Sequence, residues 1–242
     1  MKTLQIILIA VTALSGCNKT ADIARSAVAD STINTKPMTD SLSYLALGDS
    51  YTIGQSVPLS ESYPYQLTSA LRSNDYDNVK IPMIIATTGW TTDNLIAAIA
   101  ADNSVINKKF DFVTLLIGVN DQYQGLTEDN YKIKFSEVLN TAIAFANGAT
   151  NRVFVLSIPD YGVTPFAGGR DSVIGPEIDQ FNAINKAISL KAGVNYLDIT
   201  AISRTAANDP TLIADDGLHP SGKMYLLWVN QLAPIVAAKL KN

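Results

Sequence analysis

From Leu42 onward the chain alternates short apolar runs with amphipathic stretches, and no other feature constrains its fold as much. Short strands that each feed a helix make a parallel sheet covered by helices on both faces. Tyr44–Leu47 is the first predicted strand, and Ser62–Arg72 the helix that follows the turn after it. Val79–Ala86 reads as a second strand made irregular by Pro82, since proline cannot donate to a strand ladder. A helix over Thr91–Ala101, with Thr91 or Thr92 as its cap, leads to Phe112–Ile117. That nearly unbroken apolar run is expected of a central strand buried on both faces. The spacing then predicts a helix over Thr127–Asn147 ended by Gly148, and a strand over Arg152–Ile158 stopped by Pro159. A helix opened by Gly175-Pro176-Glu177 runs to Ala192, followed by a strand at Tyr196–Ile199 and a closing helix at Ser221–Leu240. With no internal repeat and no second composition regime, this pattern predicts one α/β domain over residues 43–242. Its expected architecture is a three-layer α/β/α sandwich around a five-stranded parallel sheet.

The residues before it read differently. One lysine precedes the apolar run Leu4–Leu14, which is too short for a stable membrane span and suits a signal-peptide core. Leu14-Ser15-Gly16-Cys17 follows at once and resembles the lipobox of bacterial lipoproteins, in which the cysteine is acylated and becomes the new N-terminus. That resemblance implies a signal peptide over 1–16, lipid on Cys17, a lipid bilayer as partner, and a cell-envelope location facing the periplasm or the cell surface. Asn18, rather than Asp, is compatible with outer-membrane sorting in such lipoproteins. An ordinary secretory signal that happens to end near a cysteine is the alternative. Residues 17–42, rich in Ser, Thr, Ala, Asp and Lys without apolar period, read as a flexible tether.

Composition removes several chemistries. One Cys and one His among 242 residues allow no internal disulfide, no cysteine zinc cluster and no multi-histidine metal centre, which leaves only carboxylate sites for a metal. No cofactor and no metal are expected. Eighteen basic against 22 acidic side chains, a net charge of −4, lack the basic face that nucleic-acid binding needs. At 47% hydrophobic and 17% charged, the chain has the makings of a well-buried core.

In open parallel sheets ligands bind outside the carboxyl ends of the strands, so chemistry is sought just after each predicted strand. Gly48-Asp49-Ser50-Tyr51 follows the first, Gly89 the second and Gly118-Val119-Asn120-Asp121 the third, while Asp216-Gly217-Leu218-His219 precedes the last helix. Ser50, where a strand gives way to a turn or helix, could project its hydroxyl from the sheet edge, although Gly-Asp-Ser is also an ordinary polar turn. A serine needs a base within reach to act as a nucleophile, and His219 is the only imidazole. Asp216, three residues earlier, can reach Nδ1 of that ring and leave Nε2 free; Asp215 is the competing acid.

These four blocks, in this order, resemble the SGNH or GDSL hydrolase family, from about Leu45 to Trp228. The resemblance implies the flavodoxin-like SGNH fold, a serine ester hydrolase without cofactor, and the catalytic set Ser50, Asp216 and His219. It also implies an oxyanion hole from Ser50, Gly89 and Asn120. Asn120 could instead cap the following turn, but its amide NH2 suits an oxyanion, and Asp121 could hold it in place by a hydrogen bond. No Gly-x-Ser-x-Gly is present, so the α/β-hydrolase elbow is not the template. Trp90, Tyr123, Asp160, Tyr161 and Arg170 fall in loops where a pocket wall would be built, and the loop Val163–Gly175 would be a cover or a long connection. Tyr51 and Tyr65 read as packing residues. The expected substrate is a small-molecule or glycan acyl ester, with a slight tilt to short acyl groups because no long apolar lid is present. A non-catalytic binding lipoprotein and an acyltransferase are the competing readings.

Overall fold

The uninterrupted apolar runs become the middle of a sheet. In the computed structural model, which describes residues 41–74 and 76–241, the strands are β1 (Tyr44–Gly48), β2 (Met83–Ala86), β3 (Phe112–Leu116), β4 (Val153–Leu156) and β5 (Asn195–Leu197). All pair in parallel, in the order β2-β1-β3-β4-β5. Every residue of β1, β3 and β4 is buried, whereas the edge strands β2 and β5 are only partly covered. This follows from their sequences: only the inner strands lie between two helical layers, and only they can dispense with alternation. The expected signal peptide over 1–16, the expected lipid site Cys17 and the expected tether as far as residue 40 lie outside the described residues.

The helices are α1 (Ser50–Ile53), α2 (Tyr63–Arg72), α3 (Thr92–Ala101), α4 (Val119–Tyr123), α5 (Glu128–Phe145), α6 (Asp171–Ala192), α7 (Thr200–Arg204) and α8 (Gly222–Leu240). α2 and α8 pack together in one layer, while α5 packs with α3 and α6 in the other. The three-layer sandwich is therefore as expected. Tyr63 of α2 and Tyr225 and Trp228 of α8 interlock with ring centroids 5.0–6.4 Å apart, and all three are fully buried. Among the described residues no helix is long and apolar enough to cross a membrane.

Several element boundaries differ from expectation, each for a local reason. β2 begins at Met83 rather than Val79, because Pro82 interrupts the ladder and leaves Val79 only an isolated bridge to Leu42. β4 stops at Leu156, and β5 ends at Leu197, where the Ile199 N–H turns to the Ser157 hydroxyl (2.8 Å) to start α7. Helix α6 begins four residues before Gly175, so Pro176 lies inside it. The Ile174 N–H already bonds the Arg170 carbonyl (2.9 Å), and at Pro176 only the Ser172 carbonyl goes without its helical partner. Arg204 donates to the neighbouring Gly175 carbonyl (3.3 Å).

The strand order places the site. The chain moves from β1 outward to β2 and then crosses back to β3 on the other side of β1. A reversal of this kind opens a crevice outside the carboxyl ends of the two strands where it occurs. Those ends are Gly48, which precedes Asp49-Ser50, and Leu116, which leads to Gly118-Val119-Asn120.

Candidate active site

The nucleophile candidate is set by a sharp exit from β1. Gly48 is required there: a Cβ would stand 2.1 Å from the Thr52 hydroxyl and 2.3 Å from the Leu116 carbonyl. Asp49 then caps α1 by accepting the Tyr51 N–H (3.0 Å), and Ser50 is the first residue of that short helix, buried at one edge of a cavity. The cavity has a volume of about 140 Å³, and Ser50, Gly89, Asn120 and His219 all line it. Three blocks that follow different strands and one that precedes the last helix thus meet at one place.

Histidine 219 is held by its own loop. Its Nδ1 lies 2.6 Å from Asp216 Oδ2, while Asp216 Oδ1 accepts the N–H groups of Leu218 (3.0 Å) and His219 (2.9 Å). Burial pushes the Asp216 carboxyl up, but hydrogen bonds from Ser56, His219 and Leu218 outweigh this and hold it well below the usual carboxylate range. A permanently charged carboxylate on Nδ1 selects the tautomer with its proton there, and Nε2 is left as the basic nitrogen. Asp215, the competitor, is exposed and makes no such bond. A bridge between Ile213 and Pro220, with Ala214 N–H to His219 carbonyl at 2.8 Å, closes this loop before α8.

The second and third blocks meet over Asn120. Its Nδ2 donates to the Trp90 carbonyl (2.9 Å), which orients the amide and leaves its second hydrogen without a partner among the described residues. Gly89 has φ +82°, a conformation that glycine adopts without strain, and the space beside its Cα is open. Asp121 does not hold Asn120, contrary to expectation. It is buried and accepts the Thr92 N–H (3.0 Å) and hydroxyl (2.5 Å) at the start of α3, so it fastens the second block to the third instead. Burial raises its carboxyl despite these donors.

The cavity wall differs from the sequence reading in its members. Tyr123, Tyr161 and Phe166 form a cluster of three rings with centroids 6.1–6.3 Å apart, all on the cavity. Phe166 comes from the Val163–Gly175 segment, whose Pro165–Ala167 turn is tied to the histidine loop by the Phe166 N–H to Gly217 carbonyl bond (3.0 Å). Asp160, by contrast, is an internal ion-pair residue, with Arg204 Nε at 2.8 Å, and Arg170 stands just before α6 with its Nε donating to the Ala167 carbonyl (3.2 Å). Trp90 packs against the core. Tyr51 packs in the core as expected and also lines the cavity, its ring edge-on to His219 with centroids 5.6 Å apart. Ser56, which no sequence signal singled out, donates to Asp216 Oδ2 (2.5 Å). Its partner is 160 residues away, and nothing local marks it.

Asp49 carries a further electrostatic feature. It is fully buried, and its Oδ2 has no partner among the described residues, as is true of the nearby Thr52 hydroxyl. Burial pushes its carboxyl up to about 8, opposed by the Tyr51 N–H and reinforced by the charge of Asp121. The folded chain therefore keeps a proton that the unfolded chain releases near pH 4, and stability falls as the pH rises from about 4 to about 8. Asp49→Asn removes this loss. Its melting temperature is expected to exceed that of wild type by a margin that widens up to pH 8, reaching several degrees, since ~1 kcal/mol moves a domain of this size by about 2–4 °C. A margin independent of pH in thermal melts from pH 5 to 9 would reject this account.

Comparison with known proteins decides the family. The model of the GDSL-like lipase/acylhydrolase family matches residues 46–227, most of the chain and all four blocks. The chain belongs to this family. As a GDSL-like acylhydrolase it is a carboxylic ester hydrolase. Similar solved structures include TesA, 18% identical with a TM-score of 0.62 over 81% of this chain and 99% of that one. The acetylxylan esterase Axe2 from Geobacillus stearothermophilus is 18% identical, with a TM-score of 0.62 over 84% and 95%. The psychrotrophic esterase EstA from Pseudoalteromonas sp. is 16% identical, with a TM-score of 0.62 over 83% and 100%. At these identities the likeness establishes the shared fold of the GDSL hydrolases. No curated protein sequence matches the chain.

Proposed function

We propose that this GDSL hydrolase cleaves short-chain acyl esters through an acyl-enzyme on Ser50, with His219 as general base and Asp216 orienting it. The observation that carries the proposal is the single cavity lined by Ser50, Gly89, Asn120 and an imidazole already engaged by a carboxylate. Ser50 Oγ attacks the ester carbonyl, and His219 Nε2 takes its proton and passes it to the departing alcohol. Water, deprotonated by the same nitrogen, then releases the acid. The N–H groups of Ser50 and Gly89 and the free amide hydrogen of Asn120 receive the tetrahedral oxygen, and each such donor is worth about 2.7–4 kcal/mol in the transition state.

Cavity size supports the short acyl group. About 140 Å³ is close to the ~150 Å³ of an apolar cavity that takes one benzene molecule. An acyl group of about six carbons or fewer fits such a space, and the Tyr123, Tyr161 and Phe166 rings bound it. The alcohol side is open to solvent and suits a small molecule or a glycan, in keeping with the acetylxylan esterase among the structural neighbours. In a series of p-nitrophenyl esters from acetate to laurate, with acetylated xylan and a lysophospholipid alongside, kcat/KM should peak at about six carbons or fewer. It should fall at least about tenfold by ten carbons, about 1.4 kcal/mol of transition-state stabilisation lost because a chain too long for the cavity displaces the ester from the reacting groups. A maximum at laurate or at the lysophospholipid would sink the short-chain assignment.

We also propose that residues 1–16 are a signal peptide and that Cys17 carries the lipid, with 17–42 tethering the hydrolase domain in the cell envelope. The Leu14-Ser15-Gly16-Cys17 sequence supports this reading. Cys17→Ser should move the protein from the membrane to the soluble fraction, and unchanged membrane partition would reject the anchor.

A further inference from the structure

We propose that Ser56 is a positioning residue, a strut that joins the nucleophile loop to the Asp216–His219 pair. This rests on the assignment of His219 as base. Ser56 lies just after α1, and its hydroxyl donates to Asp216 Oδ2, the same oxygen that faces His219 Nδ1. The bond spans 160 residues of sequence and connects the segment that carries Ser50 to the loop that carries the imidazole. The adjacent Gln55 is fastened in turn, its Oε1 accepting the Thr88 hydroxyl (2.5 Å) from the second block.

The backbone supports a role in aiming the hydroxyl. Ser56 has φ +67°, a left-handed conformation that costs a residue other than glycine some stability and recurs where a side chain must be aimed. Here what is aimed is the hydroxyl. Without it, Asp216 Oδ2 would have only the imidazole as a partner, because the two backbone N–H groups are both on Oδ1. The carboxylate would then concentrate its charge on the ring, and the two loops would lose a direct hydrogen bond between them. The other ionisable groups that sense Asp216 are Tyr51, from α1, and Tyr225, from α8; Asp215 adjoins it in the same loop.

Ser56→Gly tests the strut cleanly, since glycine accepts the same backbone and lacks only the hydroxyl. Relative to wild type, with p-nitrophenyl acetate as the probe, kcat is expected to fall about tenfold with KM little changed, the scale of one charge-assisted hydrogen bond. Ser56→Asn, which tolerates positive φ and supplies an amide donor, should regain most of the lost rate. Wild-type kinetics in Ser56→Gly would overturn the proposal. So would a loss carried mainly by KM, or Ser56→Asn no better than Ser56→Gly. His219→Ala separates this failure from the larger one: if it is inactive while Ser56→Gly is normal, only the strut is wrong, and if it is active the base assignment itself falls.

Discussion

Ser50→Ala and His219→Ala are each expected to lower kcat/KM for p-nitrophenyl acetate by at least about 10⁴-fold, with nearly the same residual rate in the double variant. Nucleophile and base act as one unit, so removing either forfeits the whole acyl-enzyme route, and what remains is oxyanion stabilisation and binding. The fold should survive. Ser50 opens a four-residue helix whose cap is the Asp49 carboxylate, not its own hydroxyl, and alanine is tolerated there. His219 contributes a ring contact to Tyr51 and the bond to Asp216, both at the cavity edge. Circular dichroism and melting temperature would establish that the variants are folded, and fluorophosphonate labelling would locate the nucleophile. Turnover within tenfold of wild type in His219→Ala would remove the imidazole from the mechanism, and no second histidine exists to replace it.

Asp216→Asn should cost about 10³–10⁴-fold in kcat with the structure intact, a loss second only to that of the nucleophile and base. The carboxylate accepts four hydrogen bonds, two from backbone N–H groups on Oδ1 and two, from His219 and Ser56, on Oδ2. An amide cannot accept at both positions. If its oxygen keeps the two backbone donors, its NH2 faces His219 Nδ1 and selects the tautomer with the proton on Nε2, which cannot take a proton from serine. The loss is therefore one of tautomer and not of position, and Asp216→Ala should be no more active. Asp215→Asn, by contrast, should leave kcat within about twofold, because Asp215 is exposed and outside the loop's hydrogen bonds. Equal losses at the two positions would overturn the assignment of the acid.

Where the sequence was misread, the cause lies in competition between local rules and packing. Pro176 resembled a helix start because proline is favoured in the first turn. The helix nevertheless begins at Asp171, where the Pro165–Ala167 turn and Arg170 deliver the chain already in position, and the burial of Ile174 and Ile178 retains it through the proline. Asp121 was paired with its neighbour Asn120, but the crossing of the third block over α3 offers it both Thr92 donors, a stronger arrangement for a buried carboxylate than one side-chain amide. Tyr51 does pack in the core, and what its place in the sequence does not show is the ring contact with His219. Its contact with His219 depends on how the last helix returns to the first strand.

The sequence alone determined the alternation of strand and helix, the burial of Phe112–Leu116 on both faces, and the order in which Ser50, Gly89, Asn120, Asp216 and His219 occur. These are properties of period and of residue type, carried by covalent neighbours. The tertiary structure decided which of those residues share a cavity, that Tyr123, Tyr161 and Phe166 bound it, that Asp49 is buried, and that Ser56 reaches Asp216. Most of these partners are far apart in the chain, Ser56 and Asp216 by 160 residues, and only the strand order β2-β1-β3-β4-β5 and the packing of α8 beside α2 bring them together.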